Sequence, residues 1–596
     1  MMKLSKLSMA ICLCAGCSLS FAFEAGTFEA SYPGIGGMVP VKVTFSKDKI
    51  EKIEVDPNKE TVGIGQNAIA SISSEVVKTQ SLAVDNVTGA TVTSKALLDG
   101  IKECVQKAKG DVAQLTKKKN IAPVIAKTET INTDLVIVGG GAAGMIAAIN
   151  AADQHLKVTL VEKMNFLGGA SAICGGSVVT EGSQLQKDLG VKDDTPAKLA
   201  YDLLDNGHQK NDMNALVFYV NNVGKSIDWA VAKGVKFEKD FSFRAEWRTS
   251  RMVPLKGGCP AFAETLRELV KNAKVNVLLS IKAEQVNMTD GSATGITAVG
   301  KNGTKYIINA KAVLLATGGY GYNKEMLKGS LKDALYYGPV SSTGDGHKMA
   351  ENAGAAMQLM DYGKLYPQGI EVAPGIAKST LQGNIGAYNQ AGIMVDKNGN
   401  RVINEKGSGK DMVAIQTKQP ASTLYLALDQ KSFDGFRDYA KKNGISSEDI
   451  DKWLAQDGKK PPLFIKGNSI EEAAKKAGIN PKNLLDTVEK YNSYVVNKDD
   501  KDFHRPVKFM TKTIDVSGPF YIVEQKPRFA TTLGGVKVTT KMEVLDKNGK
   551  PIPNLYAAGE LANSVHGDDS APGANVAWCI TTGKTVSDAI ANKLQN

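Results

Sequence analysis

The sequence predicts a small α+β domain followed by a Rossmann-like α/β domain that is interrupted by an inserted α+β capping domain. Three observations carry this. Near the N-terminus, alternating apolar positions in "VPVKVTF" and "KIEKIEV", separated by a Lys-Asp turn, read as a small antiparallel sheet. Further on, a buried strand runs into a glycine-rich turn, a helix of small residues and a second strand: "TDLVIVGGGAAGMIAAINAADQHLKVTLVEK". Finally, two later strand-to-glycine segments, "KAVLLATGGYGYN" and "NLYAAGELANSVHG", flank a stretch of charged helices that has no such glycines, as when one domain is inserted in another.

Residues 1–22 carry Lys3 and Lys6, a mostly apolar run and small residues ending in Ala22, which predicts a signal peptide and a chain exported to the periplasm. The alternative is a lipoprotein anchored at Cys17, because "CAGC" approaches a lipoprotein cleavage box. Outside this segment Cys104, Cys174, Cys259 and Cys579 are scattered. They suggest neither a disulfide framework nor a metal cluster, and the Cys-x-x-Cys-His signature of attached haem is absent.

At 596 residues the chain is long enough for three or more folding units, and its 59 glycines suit an α/β protein with many tight turns. The formal charge of +11 is dispersed among as many acids as an ordinary enzyme carries. A nucleic-acid surface is not expected of an exported chain; attraction of anionic substrates or of an acidic electron donor is the milder inference.

The first domain is placed at 24–112. It contains "VDNVTGATVTS" just ahead of a helix, "KALLDGIKECVQKAKG", and on its own that stretch reads as a turn followed by a hydroxyl helix cap. The Lys-rich, aperiodic segment 113–131 is read as a linker. The first part of the Rossmann-like domain spans 132–360, the capping domain 361–511 and the second part 512–596.

Within the first part, Gly139-x-Gly141-x-x-Gly144 follows a strand and opens a helix, and Glu162 ends the next strand. The glycines permit a tight turn, close approach to a pyrophosphate and close helix packing; the helix N-terminus favours phosphate charge and the acid suits a ribose diol. The order strand, turn, helix, strand, acid predicts dinucleotide binding.

With those residues in view, "VIVGGGAAGMIAAINAA", "EKMNFLGGASAICGG", "AVLLATGGYG", "TGDGHKMAENAGA", "LLDTVEKYNSYV" and "LYAAGELANSVHG" resemble the FAD domain of the fumarate reductase and succinate dehydrogenase flavoprotein superfamily, over about 130 to 596. The resemblance implies non-covalent FAD held by Gly139, Gly141, Ala143, Gly144, Glu162, Lys163, Gly168, Gly169, Ala170 and Ser171. It adds Thr317, Gly318, Gly319, Thr343, Gly344, Asp345, Gly534, Glu560 and His566 to that set. "DNVTGAT" is similar to the target sequence of FMN-binding domains, in which a flavin transferase attaches FMN through its phosphate to the last Thr, here Thr91. Two flavins imply a relay, with FMN passing electrons singly to FAD from an external donor such as a membrane-linked cytochrome or quinol dehydrogenase.

The resemblance implies reduction of an activated C=C bond, in which an Arg gives a proton and other Arg and His residues hold carboxylates. This chain departs at those positions. Tyr366-Pro367 stands for His-Pro, Lys410 in "KGSGKD" is the nearest cation to the proton-donating Arg, Thr531 replaces a substrate-binding His, and Ser570 stands near a carboxylate-clamping Arg. Asp568 and Asp569 beside that position disfavour a dicarboxylate unless they point away. Urocanate reductases share the two-flavin layout, and urocanate stays among the acceptors considered.

The expectation is therefore a periplasmic reductase of an α,β-unsaturated carboxylate, serving anaerobic respiration as a terminal reductase. Lys410, Tyr366, Tyr388, Thr531, Asp568 and Ser570 are its candidate catalytic residues, and no metal is called for. One rival is an enone or ketosteroid-type reductase or dehydrogenase, because "SAPGAN" faintly resembles a backbone turn that holds a ketone and Tyr366, Tyr388 or Tyr362 could supply an acidic hydroxyl. The other is a flavin electron-transfer protein without a working substrate site.

Overall fold

A computed structural model describes residues 22–34, 37–56, 60, 65–84, 86–87, 91–117, 127–242 and 246–595. The leader with Cys17, and Asp85, Thr88, Gly89 and Ala90 of the FMN target sequence, lie outside the described residues; of Thr91 only the backbone is described. The chain divides into two units, Met1–Ala122 and Pro123–Asn596.

In the first unit the strands Gly26–Gly34, Gly37–Phe45 and Ile50–Val55 form an antiparallel sheet in the order of the sequence. Val39, Val41, Val43 and Phe45 alternate onto one face and are buried there. The helix Thr91–Lys107 buries Leu97, Ile101, Cys104 and Val105, spacings that put them on one side of a 3.6-residue period. Thr91 is the first residue of that helix. A second helix, Gly65–Thr79, completes the unit.

The second unit is built on an eight-stranded sheet. Pro551–Ala557, Lys305–Leu315, Thr128–Val138, Val158–Glu162 and, at the edge, Asn276–Leu279 run parallel in that order. Leu135 to Val138 and Val158 to Val161 are buried, as continuous apolar strands covered on both faces must be. The strand Thr128–Val138 begins inside the stretch read as a linker, because the pairs from Thr128 with Lys305 to Thr133 with Ala310 extend the ladder with Lys305–Leu315 past the apolar run. Alternation of exposed and half-buried residues over that extension hides it from a search for buried strands.

The cap is organised on a seven-stranded sheet, and its extent differs from 361–511. The strand Phe520–Thr532 lies inside it, pairing with Gly363–Ala373, Leu424–Asp429 and Phe464–Gly467, and the short Leu335–Tyr336 pairs with its far end. Thirteen residues long, this strand belongs to the cap sheet, and the chain rejoins the Rossmann-like sheet beyond it, at Glu543–Leu545 and Pro551–Ala557.

The scattered cysteines suggest no disulfide framework, yet Cys174 and Cys259 form a disulfide across a sequence separation of 85. No spacing rule marks such a pair. The helix Gly258–Asn272 brings Cys259 at its first turn against the chain that follows the short helical turn Gly169–Ala172. Among the described residues no helix is long and apolar enough to cross a membrane, and no cluster of His, Cys, Asp or Glu could hold a metal ion.

Candidate active site

A single cavity of about 1510 Å³ joins the glycine-rich turn to the cap. At one end the helix Ala142–Asp153 starts directly after Gly141. Gly139 has φ +105°, a conformation that L side chains rarely adopt, and a Cβ on Gly144 would lie 1.9 Å from the Gly139 carbonyl oxygen. A Cβ on Gly141 would meet nothing within 4 Å, because that position opens into the cavity. Glu162 accepts hydrogen bonds from the backbone N–H groups of Gly140 (2.7 Å) and Met164 (2.8 Å), which fixes its carboxylate beside the turn; burial raises its pKa.

Lys163 donates to Thr343 Oγ1 and to Asp345 Oδ2, both at 2.6 Å. Burial acts to raise the Asp345 carboxyl, but Lys163 outweighs it and holds Asp345 below the usual carboxylate range. Glu560 is half-buried in the cavity wall with its Oε1 accepting from the backbone N–H (2.9 Å) and hydroxyl (3.1 Å) of Thr532, and desolvation pushes its pKa up to about 7. A helix N-terminus, an open glycine position, three acids and a lysine along one elongated cavity fit FAD: the turn at Gly139 to Gly144 would take the pyrophosphate, and Glu162 the ribose.

Of the residues assigned to FAD, Gly139, Gly141, Ala143, Glu162, Lys163, Gly169, Ala170, Ser171, Thr317, Gly318, Asp345 and Glu560 line the cavity. Gly144, Gly168, Gly319, Thr343 and Gly344 stand behind that lining; a Cβ on Gly319, for instance, would lie 2.3 Å from Glu560 Oε1. Gly534 packs against the backbone of Leu359 and Met360 instead. His566 is not brought to the cavity either. Its ring is buried edge-on to Tyr219 and Trp578, and burial pushes its pKa down to about 3, so it is neutral.

At the other end, Lys410, Tyr366, Thr531, Asp568 and Ser570 all line the same cavity. Lys410 sits exposed in the first turn of the helix Gly409–Gln416. Ser570 is buried and accepts from Asn575 Nδ2 at 3.0 Å, beside the N-terminus of the last helix, Ala574–Gln595. Tyr388 is separated from this group. Its hydroxyl accepts from Asn384 Nδ2 at 3.2 Å within the core of the cap, and burial raises its pKa.

Asp568 and Asp569 both face the cavity, yet neither is an unopposed charge. Lys210 Nζ lies 2.8 Å from Asp568 Oδ2, and His208 Nδ1 2.5 Å from Asp568 Oδ1. Burial acts to raise Asp568, but these two partners more than offset it and keep the carboxylate ionised. Asp569 is held by Lys364 at 2.7 Å. The acids that stood against an anionic acceptor are therefore matched by lysines that no motif announced.

Sequence reasoning also missed Tyr337 and Arg528. Tyr337 lines the cavity directly after Leu335–Tyr336, and Arg528 lies behind it on the strand Phe520–Thr532. The one available signal was a lone Arg in "KPRFATT", three residues ahead of Thr531 in a strand that is otherwise largely apolar.

An FAD binding domain family matches residues 134–576, and an FMN-binding domain family matches residues 34–106. The urocanate reductase of Eggerthella lenta is 30% identical over 89% of this chain and 86% of its own length. The NADH:acrylate oxidoreductase of Vibrio harveyi is 28% identical over 96% of this chain, which spans only 61% of that relative. Among solved structures, the open conformation of a flavocytochrome c3 fumarate reductase superposes with a TM-score of 0.62 and 28% identity, covering 78% of this chain and 79% of the other.

Proposed function

The chain belongs to the FAD binding domain family, with an FMN-binding domain ahead of that domain, and from this premise we propose that it is an FAD-dependent oxidoreductase that reduces the activated C=C bond of an α,β-unsaturated carboxylate. Bound in the cavity, FAD supplies the hydride. The observation that carries the substrate class is the charge balance of the cap end: Asp568 and Asp569 are neutralised by Lys210 and Lys364, which leaves Lys410 as a cation in the wall without an ion-pair partner among the described residues. A carboxylate entering beside Lys410 therefore meets Asp568 and Asp569 already paired with lysines. The named activities of the two relatives, on urocanate and acrylate, are both of this class.

In the same reading Thr91 carries FMN as a phosphoester formed by a flavin transferase, and this flavin relays electrons from a membrane-linked cytochrome or quinol dehydrogenase. The protein works in the periplasm as an anaerobic terminal reductase. Three tyrosines on the cavity wall, Tyr337, Tyr362 and Tyr366, favour a second reading in which the acceptor is an enone.

The test is anaerobic. The mature flavinylated protein is reduced with a viologen dye and its reoxidation followed on adding fumarate, acrylate, urocanate, cinnamate and cyclohexenone in turn. Rapid reoxidation by an enoate supports the first reading, response to the enone alone supports the second, and silence overturns both. Intact mass of Thr91→Ala checks the attachment: loss of one FMN supports it, and retention overturns it.

A further inference from the structure

Arg528 is an unusual cation for this fold. It is 5% exposed, and no carboxylate pairs with it among the described residues. Its Nε donates to the Gln368 carbonyl at 2.7 Å, while its guanidinium carbon lies 4.5 Å from the centre of the Tyr337 ring and 5.0 Å from that of Tyr366. Every other strongly buried Arg described has an acid: Arg251 has Asp194 and Asp202, Arg401 has Glu405 and Asp500, and Arg505 has Glu405. A desolvated guanidinium without a counter-ion is expensive, and contacts to two ring faces offset only part of that cost.

The strand register explains how the three residues meet. Tyr366 is the direct cross-strand partner of Arg528, and Leu335–Tyr336 pairs with Arg528 and Phe529 on the other side. The Tyr337 N–H donates to the Phe529 carbonyl at 3.0 Å, which places Tyr337 over Arg528 and on the cavity wall. Three residues beyond Arg528 on the same strand is Thr531, which also lines the cavity.

Resting on the reductase reading above, we propose that Tyr337 is the proton donor of the reaction and that Arg528 is the positioning residue that stabilises the phenolate left behind. Reduction of the C=C bond adds a hydride at one carbon and a proton at the other. The Tyr337 O–H bond breaks as the new C–H bond forms, the phenolate is held against the guanidinium, and solvent returns the proton. Arg528 then lacks a carboxylate because its counter-ion appears only during turnover. Burial pushes the Tyr337 hydroxyl up, and Arg528 beside it works in the opposite direction. Lys364, two residues before Tyr366 on the same strand and with its ammonium over that ring, acts on Tyr337 in the same sense as Arg528, and Tyr366 opposes them.

Two measurements on the flavinylated protein test this. In the viologen assay with the five acceptors above, Tyr337→Phe should slow reoxidation roughly 100-fold or more, the usual weight of a general acid, while FAD content and reduction by viologen stay unchanged. A wild-type rate in Tyr337→Phe overturns the assignment; silence of the wild-type protein overturns the reductase reading itself. The second measurement needs no substrate. In protein labelled with 3,5-difluorotyrosine, the fluorine resonance missing from Tyr337→Phe should titrate at a pH at least one unit higher in Arg528→Gln than in the wild type, a tenfold loss of acidity, with Arg528→Lys restoring most of it. An unmoved midpoint would show that Arg528 only fills space.

Discussion

Lys364 and Asp569 form an ion pair at 2.7 Å in the cavity wall, with their side chains only 13% and 16% exposed. Removing one partner of such a pair leaves the other as an uncompensated charge facing the acceptor. Lys364→Met should therefore raise the KM for an enoate about tenfold, equivalent to about 1.4 kcal/mol, with little change in flavin reduction by viologen. Asp569→Asn should act in the opposite direction by freeing Lys364. Steady-state assays at low and high salt check this: the effect should shrink for an enone, which carries no charge for Lys364 to attract.

The two glycines of the dinucleotide turn should fail differently. Gly144 sits against the Gly139 carbonyl, so a methyl group at Gly144 forces the helix Ala142–Asp153 off the sheet, and Gly144→Ala should lose both FAD and at least about 2 kcal/mol of stability. Gly141 faces open cavity, so Gly141→Ala should leave the stability of FAD-stripped protein within about 0.5 kcal/mol while weakening FAD binding at least tenfold. Denaturant unfolding and flavin titration of both variants separate the two effects; equal losses of stability would contradict the geometry.

This contrast marks what was legible in the sequence. The Rossmann-like turn could be read because its geometry is local: Gly139 to Gly144 and Glu162 act within one βαβ unit whose periodicity lies in consecutive residues. The cap end could be read only as a set of departures, Tyr366, Lys410, Thr531 and Ser570, which do line one cavity. What compensates for those departures is non-local. Lys210 meets Asp568 across 358 residues and Lys364 meets Asp569 across 205, so no window of sequence contains either pair. Tyr388 and His566 were misplaced for a related reason: a motif fixes a backbone position, whereas the packing around it decides which way the ring points.

The disulfide between Cys174 and Cys259 gives a prediction about stability. Cys174 lines the cavity and follows the turn that would cradle FAD, and Cys259 anchors it to the helix Gly258–Asn272. Closing a loop with a sequence separation of 85 contributes about 4.6 kcal/mol in the chain-entropy account. The double variant Cys174→Ser, Cys259→Ser should lower Tm by several degrees and weaken FAD retention, and a thiol reductant should do the same to the wild type but not to the variant. Thiol counting under denaturing conditions, with and without reductant, establishes the bridge independently.

Glu560 should make stability fall as pH rises. Its carboxyl titrates at about 7 when folded against an ordinary value of 4.5, because desolvation in the cavity wall outweighs the hydrogen bonds it accepts from Thr532 and the Gly319 backbone. Between those two pH values the folded protein binds a proton that the unfolded chain releases, so the stabilisation is complete below about 4.5 and is lost as pH rises through about 7. The full difference is roughly 3 kcal/mol. Glu560→Gln keeps the shape and removes the titration, so the unfolding free energy of FAD-stripped wild type should drop between pH 5 and pH 8 by about that amount relative to the variant. Parallel pH profiles for the two proteins would mean that Glu560 is ionised in the fold, with solvent reaching it through the cavity.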